Sequence, residues 1–296
     1  MEQIVPTGVT PFSCMTINAD AIEAWNTVLF DKFVQFRELL VTNLGIHGTR
    51  GIERLAPAAG DRVVDLGCGF GETTLELAGR VGPTGRVVGV DAAPRFIEVA
   101  ERETRAVPNV AFEVADVQQG VPGGPYDLAF SRMGMMFFAS PVSALREVRA
   151  RLVPGGRLCM VVWRSKAANE GMAVPENAVT ALLGDPDKGD HVTCGPGPFS
   201  MASADVVSDQ LMAAGFRSIA FERSDADLRV GDSLDAAVEL ALTIGPAGER
   251  VRLAGDRAVA RRRELEAAVR AALAPFARRD GVYAPSSTWL VTATSP

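Results

Sequence analysis

Residues 63–71 read Val-Val-Asp-Leu-Gly-Cys-Gly-Phe-Gly, an apolar run that ends in three alternate glycines. Residues 72–81 then continue with the pattern of a helix. Glycines leave main-chain N–H groups open to close approach, and the first turn of a helix adds N–H groups that have no partner within the helix. The stretch therefore predicts a turn that binds a nucleotide-like ligand between a strand and a helix.

Two acidic residues follow further predicted strands. Residues 86–90 form a β-branched run that ends in Asp91, about where a nucleotide-binding βαβ unit places its ribose carboxylate. Residues 110–114 form a third strand that leads to Asp116, whose carboxylate can accept a hydrogen bond from an adenine amino group. The glycines differ from the Gly-x-Gly-x-x-Gly of dinucleotide binders, which makes a nicotinamide cofactor the weaker alternative.

In order and spacing, residues 61–163 resemble class I S-adenosylmethionine-dependent methyltransferases of the ubiquinone/menaquinone-biosynthesis type. Five motifs carry the resemblance: Asp-Leu-Gly-Cys-Gly-Phe-Gly at 65–71, Gly-Val-Asp at 89–91, Ala-Asp-Val at 115–117, Tyr-Asp-Leu-Ala-Phe-Ser-Arg at 126–132 and Leu-Val-Pro-Gly-Gly-Arg-Leu at 152–158. The resemblance implies S-adenosyl-L-methionine as the cofactor.

The same resemblance implies which residues contact that cofactor. The glycines should admit its methionine end, Asp65 should orient its amino group through the loop, and Asp91 and Asp116 should bind ribose and adenine. The full set implied is Asp65, Gly67, Cys68, Gly69, Gly71, Asp91, Ala92, Asp116, Val117, Ser131 and Arg132.

The alternation of strands and helices predicts an α/β fold with a doubly wound parallel sheet. We expect strands at residues 62–66, 86–90, 110–114, 126–131, 157–163, 219–223 and 287–294, and core helices at 72–81, 94–105, 141–152 and 203–214. The resemblance implies a Rossmann-like sheet of seven strands with helical cap insertions. It also implies that the last strand is antiparallel and inserts between the fifth and sixth.

These elements divide the chain into a core and three additions. Turn residues predict an irregular insertion after the fifth strand, and helices at 233–244 and 255–279 predict a cap. The predicted organisation is an N-terminal helical lid (1–50), a cofactor-binding core (51–164), an active-site insertion (165–202), more core (203–223), a helical cap (224–286) and the last core strand (287–296).

Acceptor-binding and catalytic groups are predicted with less support from motifs. Trp25 and Phe33 lie on an amphipathic helix that either closes over the cofactor or packs on the core, and Phe137 and His191 are further candidate substrate contacts. His47 is a candidate general base, with capping or packing as the alternative. Methyl transfer is an in-line displacement that depends mainly on alignment, so no catalytic triad is expected.

Composition limits the classes of partner. The chain has 296 residues, of which 47% are hydrophobic, and its formal net charge of −6 disfavours nucleic-acid binding. Four separated cysteines and two histidines predict no metal site. The sequence shows neither a signal peptide nor a run of membrane-spanning length, which predicts a cytoplasmic protein without a membrane partner. Apolar cap faces are compatible with a homodimer.

The function favoured by the sequence is metal-independent methyl transfer from S-adenosylmethionine to oxygen, nitrogen or carbon of a small organic molecule. The tetrad Ser-Arg-Met-Gly at 131–134 replaces the Asn/Asp-Pro-Pro-Tyr of enzymes that methylate amino groups of nucleic acids. Two alternatives stay open: a protein or RNA methyltransferase, and a cofactor-binding regulator without chemistry.

Overall fold

The computed structural model describes residues 18–185 and 195–296. These residues form a single mixed β-sheet whose strands are ordered β3-β2-β1-β4-β5-β8-β6, with the short β7 paired to β8. The strands are β1 (Arg62–Leu66), β2 (Arg86–Asp91), β3 (Val110–Val114), β4 (Tyr126–Arg132), β5 (Leu152–Trp163), β6 (Arg217–Gly231), β7 (Ala277–Arg278) and β8 (Gly281–Thr294).

The strand order confirms the predicted doubly wound sheet. Neighbouring strands from β3 to β5 are parallel, and the order reverses between β1 and β4. β8 runs antiparallel to both β5 and β6 and lies between them, as the resemblance implied. Ligands of such sheets bind outside the carboxyl ends of the strands near the point of reversal.

Helices connect and cover the sheet. They are α1 (Ala19–Ala24), α2 (Phe30–Gln35), α3 (Arg37–Leu55), α4 (Glu72–Val81), α5 (Pro94–Thr104), α6 (Pro141–Arg151), α7 (Glu170–Leu183), α8 (Ala204–Ala213), α9 (Leu234–Thr243), α10 (Gly245–Ala254), α11 (Asp256–Ala260) and α12 (Arg262–Leu273). A π-helical turn (Trp25–Leu29) joins α1 to α2. No helix within the described residues is both long and apolar enough to cross a membrane.

Helix α3 lies unusually close to the sheet. A Cβ atom on Gly51 would stand 2.5 Å from a methyl carbon of Val161, and one on Gly48 would stand 2.9 Å from Cδ of Arg132. Side chains at these two positions would push the helix away from β4 and β5. The two glycines therefore let the N-terminal helices settle against the carboxyl end of the sheet, where the site forms.

The structure corrects the predicted active-site insertion. Residues 170–183 are not irregular but form α7, which accommodates Pro175 inside the helix and ends at Gly184 with φ +75°. Leu183 and Val179 on this helix are buried in a second hydrophobic core with Leu265 and Val269 of α12. Packing against the cap thus stabilises α7. The turn residues at 184–187 and 195–198 had led to the prediction of an irregular segment instead.

The predicted bounds of the cap also need correction. β6 extends to Gly231 and β8 begins at Gly281, so both ends of the predicted cap are strand. The helix predicted over 255–279 is interrupted at Arg261 and ends at Leu273. Arg261 donates a hydrogen bond to the carbonyl oxygen of Leu182 in α7, a tertiary contact that accompanies the break.

Candidate functional site

A cavity of about 280 Å³ lies at the carboxyl ends of β1, β2 and β4, beneath the N-terminal helices. It collects most of the residues that the sequence singled out. Those that line it are Gly67, Cys68, Gly69, Asp91, Ala92, Asp116, Val117 and Arg132 from the predicted cofactor set, and Trp25, Phe33 and Phe137 from the predicted substrate set.

The glycine turn forms one wall of this cavity. Gly67 and Gly69 adopt φ values of +69° and +56°, a left-handed region that favours glycine. The N–H groups of Gly67 and Cys68 both donate to the carbonyl oxygen of Val90, at 2.8 and 3.1 Å. These bonds fix the turn to the end of β2, and the absent side chains leave its inner surface open to a ligand.

Asp91 is held by the same turn. One carboxylate oxygen accepts the N–H of Gly69 at 3.0 Å and the other accepts the N–H of Ala93 at 2.9 Å. Burial raises the pKa of Asp91, and these backbone hydrogen bonds partly oppose that rise. Each oxygen keeps a further lone-pair direction, so the carboxylate can also accept two hydroxyl groups from the cavity side.

Asp116 occupies the next strand end. One of its carboxylate oxygens accepts the N–H of Gln118 at 3.0 Å, and the other accepts the side-chain amide of Gln119 at 3.1 Å. The neighbouring Ala115 donates its N–H to the carbonyl oxygen of Asp91 at 3.0 Å. The two carboxylates therefore line one cavity at a separation fixed by the strands.

Three predicted cofactor residues support the turn instead of lining the cavity. Asp65 is fully buried, and its Oδ2 accepts the hydroxyls of Thr73 at 2.6 Å and Thr74 at 2.8 Å. Ser131 donates its hydroxyl to the carbonyl oxygen of Leu66 at 2.8 Å. Gly71, with φ +86°, is the N-cap residue directly before α4. The geometry therefore favours a supporting role for these three residues over direct contact with a ligand.

Arg132 brings a positive charge to the cavity. Among the described residues its guanidinium makes no hydrogen bond, while the carboxylates of Glu72, Asp65 and Glu76 act on it electrostatically. Burial lowers the pKa of Arg132 from its usual value. Its donors are therefore available for an anionic group bound in the cavity.

The N-terminal helices close the cavity with aromatic rings. The Trp25 indole packs edge-on against Phe33 and Phe137, with ring centroids 5.2 and 4.9 Å away. Arg95 of α5 fastens this segment, because its backbone N–H donates to Asn26 at 3.0 Å and its guanidinium pairs with Asp31 at 2.9 Å. The aromatic rings pack against one another and also cover the cavity. Closure of this segment over the cofactor stays a prediction.

Arg37 is a cavity residue that the sequence analysis did not identify. Its guanidinium pairs with Glu72 at 2.9 Å and with Glu103 at 2.8 Å, and it lies 4.4 Å above the ring of Phe70. These contacts fasten α3 to the first turn of α4, to α5 and to the glycine turn. Trp163, Met172 and Ile244 also line the cavity from β5, α7 and the end of α9, and no local motif marks them.

The geometry argues against the predicted catalytic role of His47. The side chain is fully buried, with Nε2 2.8 Å from the Ser286 hydroxyl and Nδ1 3.1 and 3.2 Å from those of Ser224 and Thr288. It does not line the cavity. Burial lowers the pKa of His47 to about 4, which keeps it neutral at physiological pH. Its role here is packing, and His191 falls outside the described residues.

We predict that His47 makes stability depend on pH. The unfolded chain binds a proton at this side chain below its usual pKa of 6.5, whereas the folded protein does so only near pH 4. The contribution of His47 to the free energy of unfolding is therefore fully present above pH 6.5 and is lost as the pH decreases towards 4. Between pH 7.5 and 5.0 the free energy of unfolding should fall by about 2 kcal/mol on this account. In urea unfolding, His47→Gln should lose about 2 kcal/mol less than the parent over this interval. An equal loss in both proteins would contradict the prediction.

Comparison with known proteins agrees with this geometry. Residues 57–188 match a family described as a methyltransferase domain. These residues are thus similar to a methyltransferase domain, and this similarity supports S-adenosyl-L-methionine as the cofactor. The cavity's glycine turn, Asp91 and Asp116 all fall within the matched part of this methyltransferase domain.

Individual relatives share this methyltransferase domain. The chain is 35% identical over 114 residues to aklanonic acid methyltransferase DauC of Streptomyces sp. (strain C5), covering 38% of this chain and 52% of that protein. It is 34% identical over 138 residues to trans-aconitate 2-methyltransferase of Methylobacterium nodulans, covering 47% and 48%. The chain thus spans about half the length of these curated relatives.

A solved structure extends the likeness in fold beyond the matched residues. Phosphoethanolamine N-methyltransferase 2 of Haemonchus contortus superposes with a TM-score of 0.56 at 13% identity, covering 93% of this chain and 60% of that one. Its similarity shows the fold alone. Within residues 18–185 and 195–296, no group of three or more His, Cys, Asp or Glu side chains is arranged to hold a metal ion.

Proposed function

We propose that this protein transfers a methyl group from S-adenosyl-L-methionine to oxygen, nitrogen or carbon of a small organic molecule. One observation carries the proposal: a single cavity joins the glycine turn, Asp91 and Asp116 to an apolar chamber closed by the rings of Trp25, Phe33 and Phe137. The glycine turn and the two carboxylates suit a nucleoside that carries an amino acid. The apolar chamber suits an organic acceptor that is shielded from water.

The cavity residues would contact the cofactor in four places. Asp91 would accept the ribose hydroxyls and Asp116 the adenine amino group, while the bare turn at Gly67 and Gly69 would admit the methionine end. Arg132 would receive the methionine carboxylate, because its guanidinium faces the cavity without a hydrogen-bond partner among the described residues. When bound, the cofactor supplies an electrophilic methyl group on sulfur.

The chain's own contribution would be alignment and exclusion of water. The helices fastened by Arg37 and Arg95 hold the aromatic wall over the cavity, so an acceptor and the sulfonium methyl can be kept in line. With an anionic acceptor, the positive charge on sulfur and the negative charge on the acceptor would both disappear during the transfer, and such charges are less stabilised in an apolar chamber than in water. A neutral acceptor would instead release a proton to solvent as the new bond to the methyl carbon forms. With His47 buried elsewhere, this mechanism assigns no general base to the side chains identified in the cavity.

The covered cavity disfavours the macromolecular alternative. A protein or RNA acceptor would need its target residue to enter past Trp25 and the N-terminal helices. The arginine-rich surface of α12 offers little to RNA, because Arg262 pairs with Glu266 and Arg270 pairs with Asp235. A regulator that binds the cofactor without turnover would have the same cavity, so only a transfer assay separates it from an enzyme.

The test incubates purified protein with methyl-labelled S-adenosylmethionine and a lysate of its source organism, then separates low-mass metabolites from acid-precipitable material. We expect label in the metabolites, with the labelled mass identifying the acceptor. The control is the Asp91→Ala variant, which should transfer less label at a subsaturating cofactor concentration. Label confined to the precipitate would overturn the small-molecule proposal, and no label despite cofactor binding would favour a regulator.

A further inference from the structure

A second cavity of about 130 Å³ adjoins the first beneath the cap. Residues of α7, α9, α10 and β8 form its far walls. Five residues line both cavities: Leu40, Leu44, Trp163, Met172 and Ile244. Because these five residues are common to both linings, the two cavities are direct neighbours.

The polar side chains that line the second cavity already form hydrogen bonds with the protein backbone. Asn43 exchanges hydrogen bonds with the backbone of Arg229, donating to its carbonyl oxygen and accepting its N–H at 3.0 Å. Asn169 donates to the carbonyl oxygen of Ser287 at 3.1 Å and accepts its N–H at 2.9 Å. Ser286 donates to the carbonyl oxygen of Ala226 at 2.8 Å.

The remainder of the lining is mostly hydrocarbon, contributed by residues such as Leu228, Leu240, Ala241 and Leu273. An apolar cavity of this kind favours an apolar occupant over water, because water there would lack hydrogen-bond partners. A cavity of about 150 Å³ holds one benzene molecule. The second cavity is thus about the size of one six-membered ring or a short alkyl chain.

We propose that the second cavity binds an apolar arm of the methyl acceptor, while the acceptor's reacting atom lies in the first cavity beside the cofactor. This inference rests on the proposed function and adds the class of substrate: a molecule with a polar, methylatable end and a ring-sized or short alkyl substituent. The cofactor's own groups do not suit this cavity, since its ribose, adenine and amino acid all carry polar atoms.

The experiment measures binding of 4-n-alkylphenols to protein saturated with S-adenosylhomocysteine, by isothermal titration calorimetry. The series runs from phenol to 4-nonylphenol, so that chains longer than the cavity are included. The affinity should rise about fourfold with each added methylene, the factor that corresponds to ~0.8 kcal/mol per buried CH₂. The rise should stop once the chain fills the cavity, at roughly four to six carbons.

Two variants of α9 change the size of the cavity in opposite directions. Ala241→Leu should end the rise at shorter chains, and Leu240→Ala should extend it to longer ones, because both side chains line the second cavity. The matched control is Ala236→Leu, the same change on the same helix at a position that lines neither cavity. It should leave the chain-length dependence as in the parent.

The outcomes separate this inference from the proposed function. If S-adenosylhomocysteine does not bind, both fall. If it binds and the alkylphenol affinities are flat with chain length, only the second-cavity inference is overturned. A dependence that Ala241→Leu and Leu240→Ala leave unchanged, or that Ala236→Leu alters as strongly as Ala241→Leu does, would also overturn it by placing the alkyl chain elsewhere.

Discussion

Replacing Asp91 with alanine should weaken the binding of S-adenosylhomocysteine by about 5- to 150-fold, the range that corresponds to a loss of ~1–3 kcal/mol. Two hydrogen bonds to the ribose would disappear. The same change leaves the N–H groups of Gly69 and Ala93 without their carboxylate acceptor, so the turn that should admit the methionine end would loosen as well. Isothermal titration calorimetry measures the change directly.

Two further variants make the Asp91 result specific. Asp91→Asn keeps the size of the side chain but replaces one accepting oxygen with a donor, so its loss should be smaller than that of Asp91→Ala. Asp209→Ala removes an exposed carboxylate from α8, away from the cavity, and should leave the affinity unchanged. Equal dissociation constants for Asp91→Ala and Asp209→Ala would remove the ribose assignment.

The sequence predicted the core of the fold because local patterns determine it. The first strand and the helix after the glycine turn have the bounds that were expected, at 62–66 and 72–81. Residues 63–66 of the strand form a continuous buried run, as expected of a central parallel strand, and the helix buries residues at helical spacing from Thr73 to Val81. Glycines follow the strand and precede the helix. The long strands β6 and β8 were only partly predicted, because their pairing joins residues 51 to 77 positions apart and both strands are rich in polar residues.

The residues of the candidate site were also predicted only in part. Asp91 and Asp116 could be predicted because Asp91 ends β2 and Asp116 lies two residues after β3, and parallel strands bring their carboxyl ends to one edge of the sheet. Arg37 and Trp163 could not, since they reach the cavity from elements that no local motif connects to the glycine turn. The role of His47 depended on Ser224 and Ser286, which lie 177 and 239 residues away in sequence. A local pattern cannot distinguish a buried histidine with such partners from a catalytic one.

Adding a single methyl group at Gly67 should reduce S-adenosylhomocysteine affinity at least tenfold. Gly67→Ala forces a side chain into a residue with φ +69°, and its Cβ would stand 3.1 Å from Cα of Gly134. The left-handed conformation alone costs about 1–2 kcal/mol for a residue other than glycine. The turn would relieve the contact by moving away from the end of β4, which would displace the N–H groups and the open surface that a ligand approaches.

Gly79 supplies the matched control for this prediction. It lies in α4, eight positions after the turn, is exposed, and has nothing within 4 Å of the site where a Cβ would stand. Gly79→Ala should leave cofactor affinity unchanged and raise the free energy of unfolding by about 0.5–1 kcal/mol, because alanine favours the helix over glycine. Gly67→Ala should instead lower both quantities. If Gly67→Ala binds S-adenosylhomocysteine as tightly as Gly79→Ala does, the turn at Gly67 does not contact the cofactor, and the methionine end must be placed elsewhere in the cavity.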